Sequence, residues 1–155
     1  MQSPDALNAV KKFHTTFQHP VLDKPQIPAR KRADLRVALL QEELNELKEA
    51  IDNEDLTEVA DALADIQYVL AGAILEFGLG EKFKSIFDEV QRSNMSKACT
   101  SAEEAEATRK HYADNKDTKS YVKEIDGKWL VFRENDDKTL KSINYSPADI
   151  PAFLE

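Results

Sequence analysis

Glu42-Glu43-Leu44-Asn45-Glu46-Leu47 and, eleven residues further on, Glu58-Val59-Ala60-Asp61-Ala62-Leu63-Ala64-Asp65 decide how this chain is read. In each run the acids recur at three or four residues, so in a helix they share one face. Working outward, Leu40, Leu44, Leu47 and Ile51 form one helical stripe, and Val59, Leu63, Ile66 and Leu70 repeat the spacing. The pattern predicts a helix from about residue 28 to 52 and another from 55 to 77. Asn53-Glu54-Asp55 is a connection so short that the two helices must lie antiparallel. Asp55 is placed to cap the second helix, with Glu58 completing a capping box. With Glu54 as pivot, Glu43 comes level with Asp65, Glu46 with Ala62 beside Asp61, and Ala50 with Glu58. Packing of the two leucine stripes is expected to hold these carboxylates just beside the seam.

The flanking segments complete a mainly α fold. Ser3-Pro4-Asp5 opens a first helix, with Ser3 or Asp5 as cap, whose apolar positions Leu7, Val10, Phe13 and Phe17 fall close to helical spacing until His19-Pro20 stops it. Three prolines between 20 and 28 mark a loop. Gly78 and Gly80 end the helix at 77, and Phe83, Ile86, Phe87 and Val90 define a further helix over 81–93. A polar helix over 101–115 has few apolar residues and is expected at the periphery. The tail reads as a small β-hairpin, because strand formers around Tyr121–Ile125 and Trp129–Phe132 flank Asp126-Gly127. A third short strand is expected over 139–145, and Pro147 is expected to open a short terminal helix. The domain division expected is 1–116 for the helical part and 117–155 for the hairpin and short helix, packed on the same domain.

Composition bounds the function. Of 155 residues, 41% are hydrophobic and 32% charged, a globular balance. Acidic residues outnumber basic ones by 29 to 21, for a formal net charge of −8, which argues against a nucleic-acid surface. Cys99 is the single cysteine, so neither an internal disulfide nor a thiolate zinc site can form. A reduced, cytoplasmic setting is expected. The apolar run from Val69 to Leu75 is far below the ~20 residues a membrane span needs, so no membrane association is expected.

Acids gathered without Lys or Arg repel one another, by about 4 kcal/mol for a pair 4 Å apart at an effective dielectric near 20. A bound divalent cation reverses that sign. Carboxylate oxygens are hard donors, suited to Mg²⁺ or Mn²⁺. A di-iron reading fails because it needs Glu-x-x-His pairs, and no histidine lies between His19 and His111. An EF-hand reading fails for want of a glycine after Asp52. His14, His19 and His111 read as ordinary core or surface histidines. Arg32 and Arg36 lie at helical spacing from Glu43 and are expected to project along the acidic side. Asn94, in the run Ser93-Asn94-Met95-Ser96-Lys97, could bond a sugar or base, and Lys97 a phosphate.

The two acidic runs resemble the E-x-x-E…E-x-x-D signature of the all-α nucleoside triphosphate pyrophosphatases, the MazG-like superfamily. With Lys31-Arg32, Leu35-Arg36, Asp61-Ala62-Leu63-Ala64-Asp65-Ile66, Tyr68-Val69-Leu70 and Ser93-Asn94-Met95-Ser96-Lys97, the chain resembles the phosphoribosyl-ATP pyrophosphohydrolase-like branch. The resemblance covers about residues 30 to 97. It implies an all-α NTP pyrophosphatase helical bundle, here with a C-terminal β-hairpin extension. It also implies Mg²⁺-dependent cleavage between the α- and β-phosphates of a nucleotide, giving a monophosphate and pyrophosphate. By position, Glu43, Glu46, Glu58 and Asp61 would be metal ligands, with Asp65 a further ligand or a partner to one. Glu46 would take the proton of the attacking water. Arg36 and Lys97 would stabilise charge on the leaving group, and Arg32 and Asn94 would be further substrate contacts. The branch also implies a homodimer or homotetramer. Two alternatives stand beside this reading. One is the phosphoribosyl-ATP pyrophosphohydrolase of histidine biosynthesis, against which the longer loop and hairpin tail weigh. The other is a non-catalytic nucleotide-binding helical protein.

Overall fold

The structure, a computed structural model, describes residues 1–154. Two compact units divide the chain, Met1–Phe83 and the remainder from Lys84.

The first unit contains α1 (Ala6–Thr16), α2 (Arg30–Asp52) and α3 (Leu56–Glu76). At the α1 start, Asp5 occupies the cap position, but its carboxylate accepts from the Asn8 side chain at 2.9 and 3.0 Å rather than capping the backbone. Between α2 and α3 the chain reverses through Glu54, at φ 55°. The Asp55 carboxylate accepts from the N–H groups of Thr57 and Glu58 at 2.9 and 3.2 Å, which starts α3. The expected box is only half formed, because the Asp55 N–H goes to the Ala50 carbonyl at 3.0 Å. At the far end of α3, Gly78 (φ +69°) passes so close to Lys24 that a Cβ would lie 1.9 Å from the Lys24 carbonyl oxygen. Only glycine fits there. The loop before α2 then closes over the end of α3, with Leu22 and Gln26 N–H groups donating to Leu75 and Phe77 carbonyls.

The α2–α3 seam differs from the expected one. Along α2 the shielded positions include Arg36, Leu39, Leu40, Glu43, Leu47 and Ala50; along α3 they include Val59, Ala62, Ile66, Val69 and Glu76. Leu44 (52% exposed), Ile51 (57%), Leu63 (52%) and Leu70 (42%) face outward instead. Small residues explain the rotation: buried Ala50 and Ala62 let the backbones approach closely, which turns the bulkier leucines out to the flank. Val10, Ala71 and Leu75 form the core between α1 and α3, with Ala6, Leu7 and Val21 around it.

The second unit contains most of α4 (Phe83–Met95), then α5 (Ala102–Lys116) and an antiparallel hairpin of β1 (Ser120–Ile125) and β2 (Lys128–Arg133). Asp126 and Gly127 turn it at φ 51° and 73°, the left-handed pair a two-residue turn requires. The helix α5 is not peripheral. Its Ala105 and Thr108 are buried, and Ala105 packs with Cys99, Val131 and Leu140. This packing puts α5 with the hairpin, in the unit from Lys84. Residues 139–145 form no strand. Leu140 N–H donates to the Val131 carbonyl at 2.8 Å, after which Ile143 N–H turns to the Thr108 hydroxyl and the Ser142 hydroxyl to Glu104. Nor does a helix begin at Pro147; a 3-10 turn spans Pro151–Phe153.

Candidate functional site

At 3.6 residues per turn, rotation away from the seam places Glu46 with Glu58, Asp61 and Asp65 on one flank of the α2–α3 hairpin. Leu44, Ile51, Leu63 and Leu70 fall on the opposite flank. Glu43 sits at the seam itself and is half-buried. Burial raises its carboxyl above the usual range, and the negative charges of Asp65, Glu46, Glu42 and Asp61 raise it further. Glu46, Glu49, Asp55 and Glu58 line an open cleft at the turn end of the same hairpin. Glu46 therefore belongs to both groups of acids. Among the described residues none of Glu43, Glu46, Glu58, Asp61 and Asp65 enters an ion pair.

Five unpaired carboxylates offer only hard oxygen donors, which suits Mg²⁺ or Mn²⁺ and excludes soft-metal chemistry. Among the described residues, no three Asp, Glu, His or Cys side chains are gathered closely enough to hold a metal ion as they stand. Glu46, Glu58, Asp61 and Asp65 are exposed. The donor set fits a hard divalent ion by chemistry.

Arg32 and Arg36 do not run along this acidic flank. Both bind the carboxylate of Glu76, which is fully buried at the end of α3. Arg32 Nε donates to Glu76 Oε2 and Arg36 Nε to Glu76 Oε1, each at 2.9 Å, and both Nη2 groups donate to Oε1. The anion these arginines meet is a carboxylate of this chain rather than a phosphate. Arg36 lies seven residues, or roughly 10 Å of helix, before Glu43. Burial works to raise the Glu76 carboxyl, but the two guanidinium groups outweigh it and hold it below the usual range.

His14 backs the same triad as a core histidine. It is buried, and its Nδ1–H donates to the Pro20 carbonyl at 2.8 Å. Burial lowers its pKa and the Arg36 charge lowers it further, against the Pro20 carbonyl and Glu76, which raise it. Gly72 makes room for both, since a Cβ there would lie 2.7 Å from Arg36 Nη1 and 3.1 Å from His14 Nε2. The sequence reading did not single out Gly72, which interrupts the apolar run at 69–75, or Glu76, which closes it. A signal was present, because a lone acid closing such a run has to find a cation when it is buried. Asn94 and Lys97 belong to the second unit, where Lys97 Nζ donates to Asn94 Oδ1 at 2.8 Å.

A mainly α protein whose central helical hairpin carries one unpaired acidic flank is the class that fold and site define. The chain belongs to the phosphoribosyl-ATP pyrophosphohydrolase family, whose sequence pattern matches residues 10–94. That stretch holds all five carboxylates and Asn94, and stops short of Lys97 and the hairpin. The chain is also similar to an uncharacterized protein of Acanthamoeba polyphaga mimivirus, 33% identical over 85 residues. The match takes in 54% of this chain and 32% of that protein, so the chain spans about a third of the relative's length.

Proposed function

We propose that the protein is a Mg²⁺-dependent nucleotide pyrophosphohydrolase that cleaves the α–β phosphate bond to give a nucleoside monophosphate and pyrophosphate. One observation carries the reading: Glu43 feels the negative charges of Asp65, Glu46, Glu42 and Asp61, and among the described residues no basic side chain is ion-paired to any of the site acids. Such crowding costs stability unless a cation relieves it. Family membership supports the same chemistry. Glu43, Glu46, Glu58, Asp61 and Asp65 would hold the ion, with Mn²⁺ as a possible substitute for Mg²⁺. A divalent cation there supplies neutralisation of phosphate charge and a lower pKa for the attacking water. Glu46, exposed and without an ion pair among the described residues, would accept the proton of the attacking water. Asn94 and Lys97 contact the substrate, Lys97 countering charge on the leaving group.

The outward leucines bear on assembly. Leu44, Ile51, Leu63 and Leu70 make an apolar flank that a second copy would cover, and we propose a homodimer or a homotetramer on that basis. The family name gives a second reading its support, hydrolysis of phosphoribosyl-ATP as in histidine biosynthesis. A single assay tests both. Nucleoside triphosphates and phosphoribosyl-ATP are incubated with the protein in Mg²⁺ or in chelator, and the products are separated by chromatography. Monophosphate and pyrophosphate in Mg²⁺ alone are expected. Diphosphate with orthophosphate would overturn the assigned bond cleavage, and no turnover of any member would favour a non-catalytic nucleotide-binding role.

A further inference from the structure

The second unit carries a basic cluster that the acidic flank does not account for. The Tyr145 hydroxyl lies 2.7 Å from Ser93 Oγ, and Lys141 Nζ lies 4.2 Å from the centre of the Tyr145 ring. The Ser142 N–H donates to the Lys97 carbonyl at 3.3 Å, which ties the segment after Lys141 to the loop bearing Lys97. Both lysines act on the same phenol. The Ser93 hydroxyl lowers the Tyr145 pKa most, and the charges of Lys141 and Lys97 lower it further.

The neighbouring acids are already engaged. Glu89 takes Arg92 and the Asp149 N–H, and Glu104 takes Ser142 and Thr100. Arg92 is engaged in turn by Glu89, Ser146 and the Pro147 carbonyl. Among the described residues neither Lys97 nor Lys141 has a carboxylate partner. The Lys141 cation beside the Ser93–Tyr145 hydroxyl pair, with Lys97 on the loop tied to the same segment, matches a multiply charged tetrahedral oxyanion, which needs several donors as well as positive charge.

We propose that Lys141, Lys97 and the Tyr145 hydroxyl form an anion subsite for a pyrophosphoryl group, with Asn94 orienting Lys97. The choice of ligand rests on the nucleotide reading above. Lys141 and Tyr145 are its new members, and both lie beyond the stretch that matches the family. The group could be carried by a nucleotide or be free pyrophosphate.

Calorimetric titration of inorganic pyrophosphate into the full chain, in chelator, tests the subsite without metal or turnover. Wild type should bind, Lys141→Gln at least tenfold more weakly, and Lys141→Arg should recover part of the loss. Lys141 is exposed, so an unchanged melting temperature should show that the variant is folded. Ultraviolet titration of the phenols, assigned with Tyr145→Phe, adds a readout that a structural role would not move. Bound pyrophosphate should raise the pH at which Tyr145 ionises in wild type and leave it unmoved in Lys141→Gln. A parallel titration with an α,β-methylene nucleoside triphosphate separates the two sources. Weakening for both ligands in Lys141→Gln means a nucleotide-borne group, and weakening for pyrophosphate alone means the free product; either upholds the subsite. Equal pyrophosphate affinity in wild type and Lys141→Gln, or no binding by wild type, overturns it. Failure of the hydrolysis reading would appear separately, as no pyrophosphate release in Mg²⁺.

Discussion

Glu76 is a buried charge whose stability depends on its partners. Removing the negative charge from a buried cluster leaves the cations uncompensated, which costs about 3–5 kcal/mol. Glu76→Gln keeps the shape and leaves Arg36 buried without its anion, so a loss of about 3 kcal/mol is expected in urea unfolding. Acid should weaken the same region in two windows. His14 has a lowered pKa in the fold, chiefly through burial, so the unfolded chain binds a proton there first. Stability from neutral His14 is complete above about pH 6.5 and declines as pH falls below that value, by no more than about 1.4 kcal/mol per unit for one proton. Glu76 has a lowered carboxyl pKa, so its contribution is lost only below about pH 4.3. Unfolding free energies from pH 8 to 5 should show the first decline in wild type and a flatter profile in His14→Gln. Glu43 has the opposite sign. Its charge is penalised by burial and by its acidic neighbours, so Glu43→Gln should stabilise the chelated protein by about 1 kcal/mol. The same change should shrink the Mg²⁺-induced rise in melting temperature, because a ligand stabilises in proportion to its affinity. A higher melting point in chelator with an undiminished Mg²⁺ shift would contradict the clustered site.

Helices α2 and α3 divide their flanks by chemistry, acids on one side and leucines on the other. The division follows from small Ala50 and Ala62 at the seam, which commit the bulky side chains outward. Leu44 and Leu63 are each 52% exposed, and such a row has little reason to stay in water. Light scattering should report a mass of two or four chains. Leu63→Glu should shift it toward one, since a charge in an apolar interface core leaves an unpaired ion buried. A wild-type monomer at micromolar concentration would remove the assembly proposal while leaving the acidic flank as it is.

Taken as a whole, the molecule carries Glu43, Glu46, Glu58, Asp61 and Asp65 in the unit spanning Met1–Phe83, and Lys97 and Lys141 in the unit from Lys84 onward. Among the described residues no helix is long and apolar enough to cross a membrane. Activity should require a divalent cation, vanish in chelator and return when Mg²⁺ is restored. Glu46→Gln should lower turnover by about a hundredfold or more, the scale for losing a metal ligand or a general base. The fold should be retained, since Glu46 is exposed and supports no contact in the core. Normal turnover in Glu46→Gln would exclude this residue from the chemistry.

The acidic runs, their helical spacing and the three-residue turn at 53–55 were legible from the sequence, because these are local properties. Side-chain period, capping by Asp55 and the left-handed pair at Asp126-Gly127 depend only on neighbours a few residues away. The resemblance carried by Glu43, Glu46, Glu58 and Asp61 was legible for the same reason and agrees with the family match over 10–94. What lay beyond local pattern was rotation and partnership. A stripe of leucines marks an apolar face without saying which neighbour covers it, and the alanine seam, which turns Leu44 and Leu63 outward, exists only once two helices pack. Arg32 and Arg36 carry charge that could meet any anion. Only tertiary structure brought Glu76, forty residues on from Arg36, into reach, with Gly72 leaving the space that the guanidinium and His14 fill. The polar helix α5 was misplaced to the periphery because two small residues, Ala105 and Thr108, suffice to bury a face once the hairpin lies against it. Sequence period sets which residues share a face; the free energy of close packing, summed over contacts far apart in the chain, decides what that face meets.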